Sequence, residues 1–411
     1  MKKPIKAALC VILSALFLLS GCNSGKKEKS ESSDSKSTSD SASVKPKATE
    51  PVAATAATAP ATQDSPRIND EEITYNSYEI KKNVDEIDST LDNLLSYHNF
   101  NGAVYVKFGN DYEAVRERGT ANTGAHISNS IHTSVYAGEL THFITAVAVM
   151  KLTEEKKLDL QTTIDKYFPN CSYAKDVTVE QLLTMKSGIP DYVVDKGGKN
   201  MKTLVPELES KVSEANGADK NKQAVLNRIL SSVRNTTNGN AFSFSNSNYY
   251  LLGEIIAKES GTSYEEYVKD KIFQPIYMTK SGFAADESTA RPYTGTEQSG
   301  KLLYPGVGYS ALGFVTDVSD LLKLIDGLMT NTLVSEASFK RLFTDYGNGY
   351  GYGTYVSGIR ATCIGSIDAY SAKLSFTTNN NQIYVALSNE SSSDPDEIHR
   401  LFREYLVKFR N

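Results

Sequence analysis

The order of elements along the 411-residue chain predicts an α+β fold, an α/β sandwich. Its antiparallel sheet would be built from both chain ends, flanked by helices and interrupted by a helical insertion lobe. Two observations carry this. Strand-like alternation is confined to residues 102–118 and to the stretch from Gly351 to Ser388. Helical periodicity brackets both regions and fills the middle of the chain.

In order, Asn83 to Tyr97 has helical spacing, with Val84, Ile87, Leu91, Leu94 and Leu95 on one side. Gly102 to Phe108 alternates as a strand, and Tyr112 to Arg118 reads as its hairpin partner across Gly109-Asn110. Residues 139–155 read as a helix with a broad apolar face formed by Phe143, Ala146, Val147, Met150 and Leu152. Helical segments and irregular loops fill 160–290, and Val318 to Met329 is an amphipathic helix. Ala372 to Thr377 and Gln382 to Leu387 are strands around a turn at Asn379-Asn380-Asn381, and Ile398 to Phe409 closes the chain as a helix.

The N-terminal part carries a different message. Lys2, Lys3 and Lys6 precede an apolar run from Ala7 to Leu19, which has the length of a secretory h-region and is short for a membrane span. It ends in Leu19-Ser20-Gly21-Cys22, which resembles the lipobox of bacterial lipoproteins. That resemblance implies residues 1–21 as signal peptide, lipid on Cys22, and a mature protein anchored on the extracytoplasmic face of the bacterial membrane. Residues 22–71 are dominated by Ser, Lys, Thr, Ala and Pro. They hold too few large apolar side chains to offset ordering entropy, and are expected to be a disordered tether reaching roughly 40 Å on average. Residues 72–411 are the expected globular domain. A net charge of −5 without a basic stripe argues against nucleic acid as a partner. Once the signal Cys10 and the lipidated Cys22 are set aside, Cys171 and Cys363 remain. Sequence does not decide whether these two pair.

Four strings in the globular part belong together: Thr145-Ala146-Val147-Ala148-Val149-Met150-Lys151-Leu152; Val179 to Thr184 leading into Ser187-Gly188-Ile189-Pro190-Asp191-Tyr192; Phe244-Ser245-Asn246-Ser247-Asn248-Tyr249 continuing to Phe273-Gln274-Pro275-Ile276-Tyr277-Met278; and Val385-Ala386-Leu387-Ser388-Asn389. In order and spacing they resemble the serine β-lactamase and penicillin-binding protein superfamily. The similarity is greatest to the branch of class C β-lactamases and D-alanyl-D-alanine peptidases. The resemblance implies a β-lactamase/transpeptidase-like fold from about residue 85 to the end. It also implies a serine nucleophile and a lysine in S-x-x-K, a proton-shuttling tyrosine in Y-x-N, and K-T-G or H-x-G on a late strand.

Aligned without insertion or deletion, the nucleophile position falls on Glu139 and the lysine on His142. The tyrosine falls on Phe244 with Asn246 retained, and H-x-G falls on Cys363-Ile364-Gly365. Other partial matches, Ser172-x-x-Lys175, Lys186-Ser187-Gly188 and Lys280-Ser281-Gly282, lack the helix or terminal strand the chemistry needs. Losing the nucleophile alone costs about six orders of magnitude in serine hydrolases. The expected protein is therefore a catalytically inactive homologue, without cofactor, that binds a cell-wall peptide, glycan or envelope protein. Glu139 and His142, one helical turn apart, are expected to form an ion pair plugging the former cleft. The alternative is a hydrolase acting on peptide, ester or amide substrates. It would use a zinc set or a Cys–His pair drawn from Glu139, His142 and Cys363, or an unrecognised serine.

Overall fold

The computed structural model describes residues 74–193, 217–236, 241–298 and 306–411. The expected signal peptide, the lipidated Cys22 and the tether lie outside the described residues.

A six-stranded sheet organises the rest. Its strands are β1 (Gly102–Phe108), β2 (Tyr112–Arg118), β3 (Tyr355–Ser357), β4 (Arg360–Ile367), β5 (Tyr370–Thr377) and β6 (Gln382–Ser388). They lie in the order β2-β1-β6-β5-β4-β3, every neighbour antiparallel. The expected closure of chain ends is the β1–β6 ladder, in which Gly102 faces Ser388 and Phe108 faces Gln382. All seven residues of β6 are buried. A central strand covered on both faces reads as a continuous apolar run, which explains why Ile383 to Leu387 shows little polar alternation.

Two cores flank the sheet. On one face, α1 (Val84–Tyr97) buries Ile87, Leu91 and Leu95, each contributing about 2 kcal/mol of burial. Beside it lies α6 (Pro395–Leu406), capped by Asp394 and started by Pro395. Ile398, Phe402 and Leu406 of α6 join Val104, Val106 and Phe108 of β1 in this core.

On the other face sits α2 (Leu140–Glu154). The sequence predicts an amphipathic helix here, but burial runs nearly all round it: every residue from Leu140 to Met150 is buried, and Leu152 as well. Such a helix is a central pillar rather than a surface element. It packs against α4 (Asn246–Ser260), and α3 (Gly217–Leu230) and α5 (Val318–Met329) contribute to the same large core with Leu374, Phe376, Val385 and Leu387 of the sheet. No helix among the described residues is long and apolar enough to cross a membrane.

Candidate functional site

The start of α2 is wedged against β4, and glycines permit the approach. Gly138 has φ +54°, and a Cβ there would stand 2.6 Å from the Ser366 nitrogen. A Cβ on Gly365 would overlap the Ala137 carbonyl oxygen. A Cβ on Gly353, at φ +75°, would stand 2.6 Å from the His142 carbonyl oxygen. Gly365 of the expected H-x-G position is thus kept by backbone contact, whatever the neighbouring side chains do.

This contact brings together the residues predicted from sequence. Glu139 immediately precedes α2, and its Oε2 accepts from the Ser366 backbone N–H at 2.8 Å. Its side chain is half-buried. Desolvation pushes its carboxyl up to about 7 against the opposing pull of the Ser366 N–H and its own N–H, and the like charge of Asp191 adds to the rise. His142 lies one turn on, fully buried. Its Nε2 is 3.0 Å from Asn246 Oδ1, and its ring stacks on Tyr249 with centroids 4.1 Å apart and tilts against Phe244 at 5.6 Å. Burial pushes its imidazole down to about 3, only partly opposed by the Asn246 contact.

Asn246 donates from Nδ2 to Asp191 Oδ2 at 3.0 Å, and its backbone N–H reaches the same oxygen at 3.1 Å. Asp191 Oδ1 accepts from the Val193 N–H at 2.7 Å. With Nδ2 of Asn246 committed to Asp191, Oδ1 must accept, so the proton of neutral His142 sits on Nε2. The row His142–Asn246–Asp191 is a fixed hydrogen-bond chain.

The expected Glu139–His142 ion pair does not form. Their ends point to different partners: Glu139 to the backbone of β4, His142 into the α4 side of the core. A neutral, buried imidazole has no charge to offer. Cys363 comes to the same region from β4. Its buried thiol is 3.9 Å from the Gly353 carbonyl, and desolvation holds it protonated, well above the ordinary thiol range. A protonated thiol is a poor nucleophile and a poor metal ligand. His142, which would have to activate it, is turned to Asn246. Among the described residues no group of three or more His, Cys, Asp or Glu is placed to hold a metal ion, so Glu139, His142 and Cys363 form no zinc set. Cys171 and Cys363 are both free and buried, which answers the pairing question.

The partial motifs elsewhere have structural duties. Lys186 donates to the Tyr346 carbonyl and Ser187 to Asn248 Oδ1. Ser281 donates to Asp320 at 3.0 Å, and Ser172 precedes a single 3-10 turn, Ala174–Asp176. Sequence reasoning passed over Asp191, which the fold seats beside Asn246, and Ser366, whose backbone holds Glu139. Asp191 stands inside the string Ser187 to Tyr192, so proximity to Asn246 was legible in principle. Ser366 acts through its backbone and left no side-chain signal. Tyr355, half-buried on β3, is also part of the site; burial pushes its phenol up to about 12, with the charge of Glu139 contributing.

Comparison with known proteins agrees with this geometry. Residues 88–407 match the beta-lactamase family. The chain is 26% identical over 307 residues to "Putative penicillin-binding protein PbpX" of Bacillus subtilis strain 168, covering 73% of each chain. It is 26% identical over 298 residues to the "Teichoic acid D-alanine hydrolase" of Staphylococcus aureus strain MRSA252, covering 69% of this chain and 67% of that one. A penicillin-binding protein from Bacillus halodurans has the same fold, with a TM-score of 0.66 at 24% identity, over 77% of this chain and 98% of that one. The match takes in both the sheet and the α2–β4 junction, and this protein belongs to the beta-lactamase family.

Proposed function

We propose that this protein is a family member without acyl-transfer chemistry that works by binding in the cell envelope, carried on the extracytoplasmic face of the membrane by lipid on Cys22. One observation carries the reading: the residue in the attacking position, Glu139, is a carboxylate tied to the Ser366 backbone N–H at 2.8 Å. It has no hydroxyl to acylate. The position of the activating lysine holds His142, neutral and bound to Asn246. The tyrosine position holds Phe244, which carries no proton to transfer. A family reaction that needs a nucleophile, a base and a shuttle together has none of the three. A hydrolase built on Cys363 has less support, because its thiol is buried and protonated.

The Staphylococcus aureus relative is a teichoic acid D-alanine hydrolase by name, which supports an envelope ligand for this protein. The direct test is incubation of the full chain with a fluorescent penicillin and a chromogenic cephalosporin. No covalent label and no turnover are expected; acylation of any serine would refute the reading. Metabolic labelling with a fatty-acid analogue should tag the wild type, and Cys22→Ala should release untagged protein to the medium.

A further inference from the structure

Two buried carboxylates stand at the start of α5, and they are partnered differently. Asp320 Oδ2 accepts from the Lys280 N–H at 2.7 Å and the Ser281 hydroxyl at 3.0 Å, and its Oδ1 accepts from Lys323 Nζ at 2.7 Å. Asp317 caps α5 through Oδ1, which accepts from the Asp320 N–H at 2.7 Å. Its Oδ2 is buried and has no hydrogen-bond partner among the described residues. A buried acceptor left without a donor carries its full desolvation cost. His132 faces this oxygen with Nδ1 at 3.8 Å, too far for a hydrogen bond. The Asp317 side chain is fully buried while that of His132 is 63% exposed, so the imidazole exchanges protons freely with water. His132 belongs to a turn over residues 130–133, closed by the Thr133 N–H on the Ser130 carbonyl at 2.9 Å. The Ile131 N–H donates to Glu117 Oε1 at 2.8 Å, and the Ile131 carbonyl accepts from the Ser319 N–H at 3.2 Å. Beyond the turn Val135 pairs with Thr316 and Tyr136 with Val315, and the Ala137 N–H donates to the Phe314 carbonyl at 2.8 Å. The approach of His132 to Asp317 therefore lies at the root of the segment that delivers Glu139 to β4.

We propose that His132 and Asp317 form a proton-operated latch: in mildly acid medium a proton held between His132 Nδ1 and Asp317 Oδ2 draws the turn onto the start of α5, and in alkaline medium the contact opens. A histidine protonated only on Nε2 has no hydrogen to give from Nδ1, and histidine is the side chain that changes charge between pH 5 and 8. Uptake of one proton supplies the missing hydrogen whichever of the two atoms holds it. With the proton on Nδ1 the bond is charge-assisted, about twice as strong as one from a neutral donor. Burial, and with it the like charge of Asp320, pushes the Asp317 carboxyl up to about 6, against the pull of the Asp320 N–H, of His132 and of Lys323. This folded value lies above the unfolded 3.8. The contribution of Asp317 is therefore present below 3.8 and is lost as pH rises through about 6, the direction in which the latch opens. The remaining charged group at the turn is Glu117 of β2, which meets it through the Ile131 N–H.

Hydrogen–deuterium exchange of the full chain tests the latch at pH 6 and pH 8, read by mass spectrometry on peptides covering residues 129–137 and corrected for the intrinsic pH dependence of exchange. Protection of these residues is expected to be about fivefold greater at pH 6. The hairpin over residues 102–118 should show no such difference. His132→Gln changes an exposed side chain and should abolish the difference. Asp317→Asn, which keeps the oxygen that caps α5, should do the same. Glu139 titrates in the same range and adjoins the segment, so the difference should persist in Glu139→Gln. Equal protection at the two pH values in the wild type, an equal difference in the hairpin, a difference that survives in His132→Gln, or one that disappears in Glu139→Gln would overturn the proposal. The latch and the silent-site reading fail separately, since penicillin acylation would end the second and leave the first standing.

Discussion

On the face of the sheet covered by α1 and α6, Lys373 of β5 is buried and ion-paired with Asp396 of α6. On the opposite face, at the start of α2, Glu139 meets a backbone N–H and no cation from the described residues. Both are charged side chains set against the same sheet. Around Lys373 the structure supplies a counter-ion. It stacks Tyr384 on a neutral His399 at 4.3 Å, and joins Arg360 to Ser375 and Gln382. Around Glu139 it supplies the like charge of Asp191 and partial access to water. Lys373 is buried with a counter-ion, whereas Glu139 is held by a backbone N–H beside a like charge, and its carboxyl is raised.

The largest effect expected on the comparison comes from geometry. Gly365→Ala would drive a Cβ into the Ala137 carbonyl and force α2 from β4. Denaturant unfolding should show a loss of more than about 4 kcal/mol, or no folded protein. A mild effect would mean that the helix-to-strand junction is less tightly seated than described.

Next comes the paired face. Asp396→Ala strands the Lys373 ammonium in the core and should cost about 2–3 kcal/mol, scaled down because Asp396 itself is half-exposed. Lys373→Met, which removes charge and keeps length, should be close to neutral. If Lys373→Met is as damaging as Asp396→Ala, the pair is a net source of stability and the contrast between the faces weakens.

The smallest effect is in the pH dependence. His142 has a folded pKa near 3, below its unfolded value of 6.5, so the unfolded chain binds its proton first as pH falls. Its contribution is fully present above about 6.5 and is lost progressively down to about 3. Glu139 works in the other sense. Its folded pKa of about 7 lies above the unfolded 4.5, so its contribution is present below 4.5 and is lost as pH rises to about 7. Thermal melts should therefore show Glu139→Gln gaining on wild type between pH 5 and 8, by on the order of 1 kcal/mol after solvent screening. His142→Gln should gain on wild type between pH 6 and 4. A gain for Glu139→Gln that is equal at pH 5 and 8 would place the carboxylate in an ordinary solvated setting.

Much of this was legible in the sequence. The hairpin Gly102–Phe108/Tyr112–Arg118 and the helix Val318–Met329 have the bounds the pattern predicts; the edge strand Tyr112–Arg118 alternates buried and exposed residues because one of its faces meets water, while Gly102–Phe108 is buried almost throughout. The strings around Thr145, Val179, Phe244 and Val385 located the α2–β4 junction and its neighbours, because most of their residues are buried packing positions. The helix Leu140–Glu154 was legible as a helix but not as one buried all round, since a single chain segment does not reveal what covers its second face.

The sequence by itself determined the elements, the closure of the sheet by both chain ends and the identity of the side chains at the aligned motif positions. Only the tertiary structure decided what those side chains do. Local spacing allows Glu139 and His142 to pair, but spacing on one helix describes proximity, and partners are set by what arrives from elsewhere. The Ser366 N–H of β4, the Asn246 amide of α4 and the Asp191 carboxylate lie far from residues 139–142 in the chain, and each offers a better-directed hydrogen bond than the neighbouring turn. Desolvation, a property of the surrounding volume rather than of sequence, then leaves His142 neutral and Glu139 near its titration point.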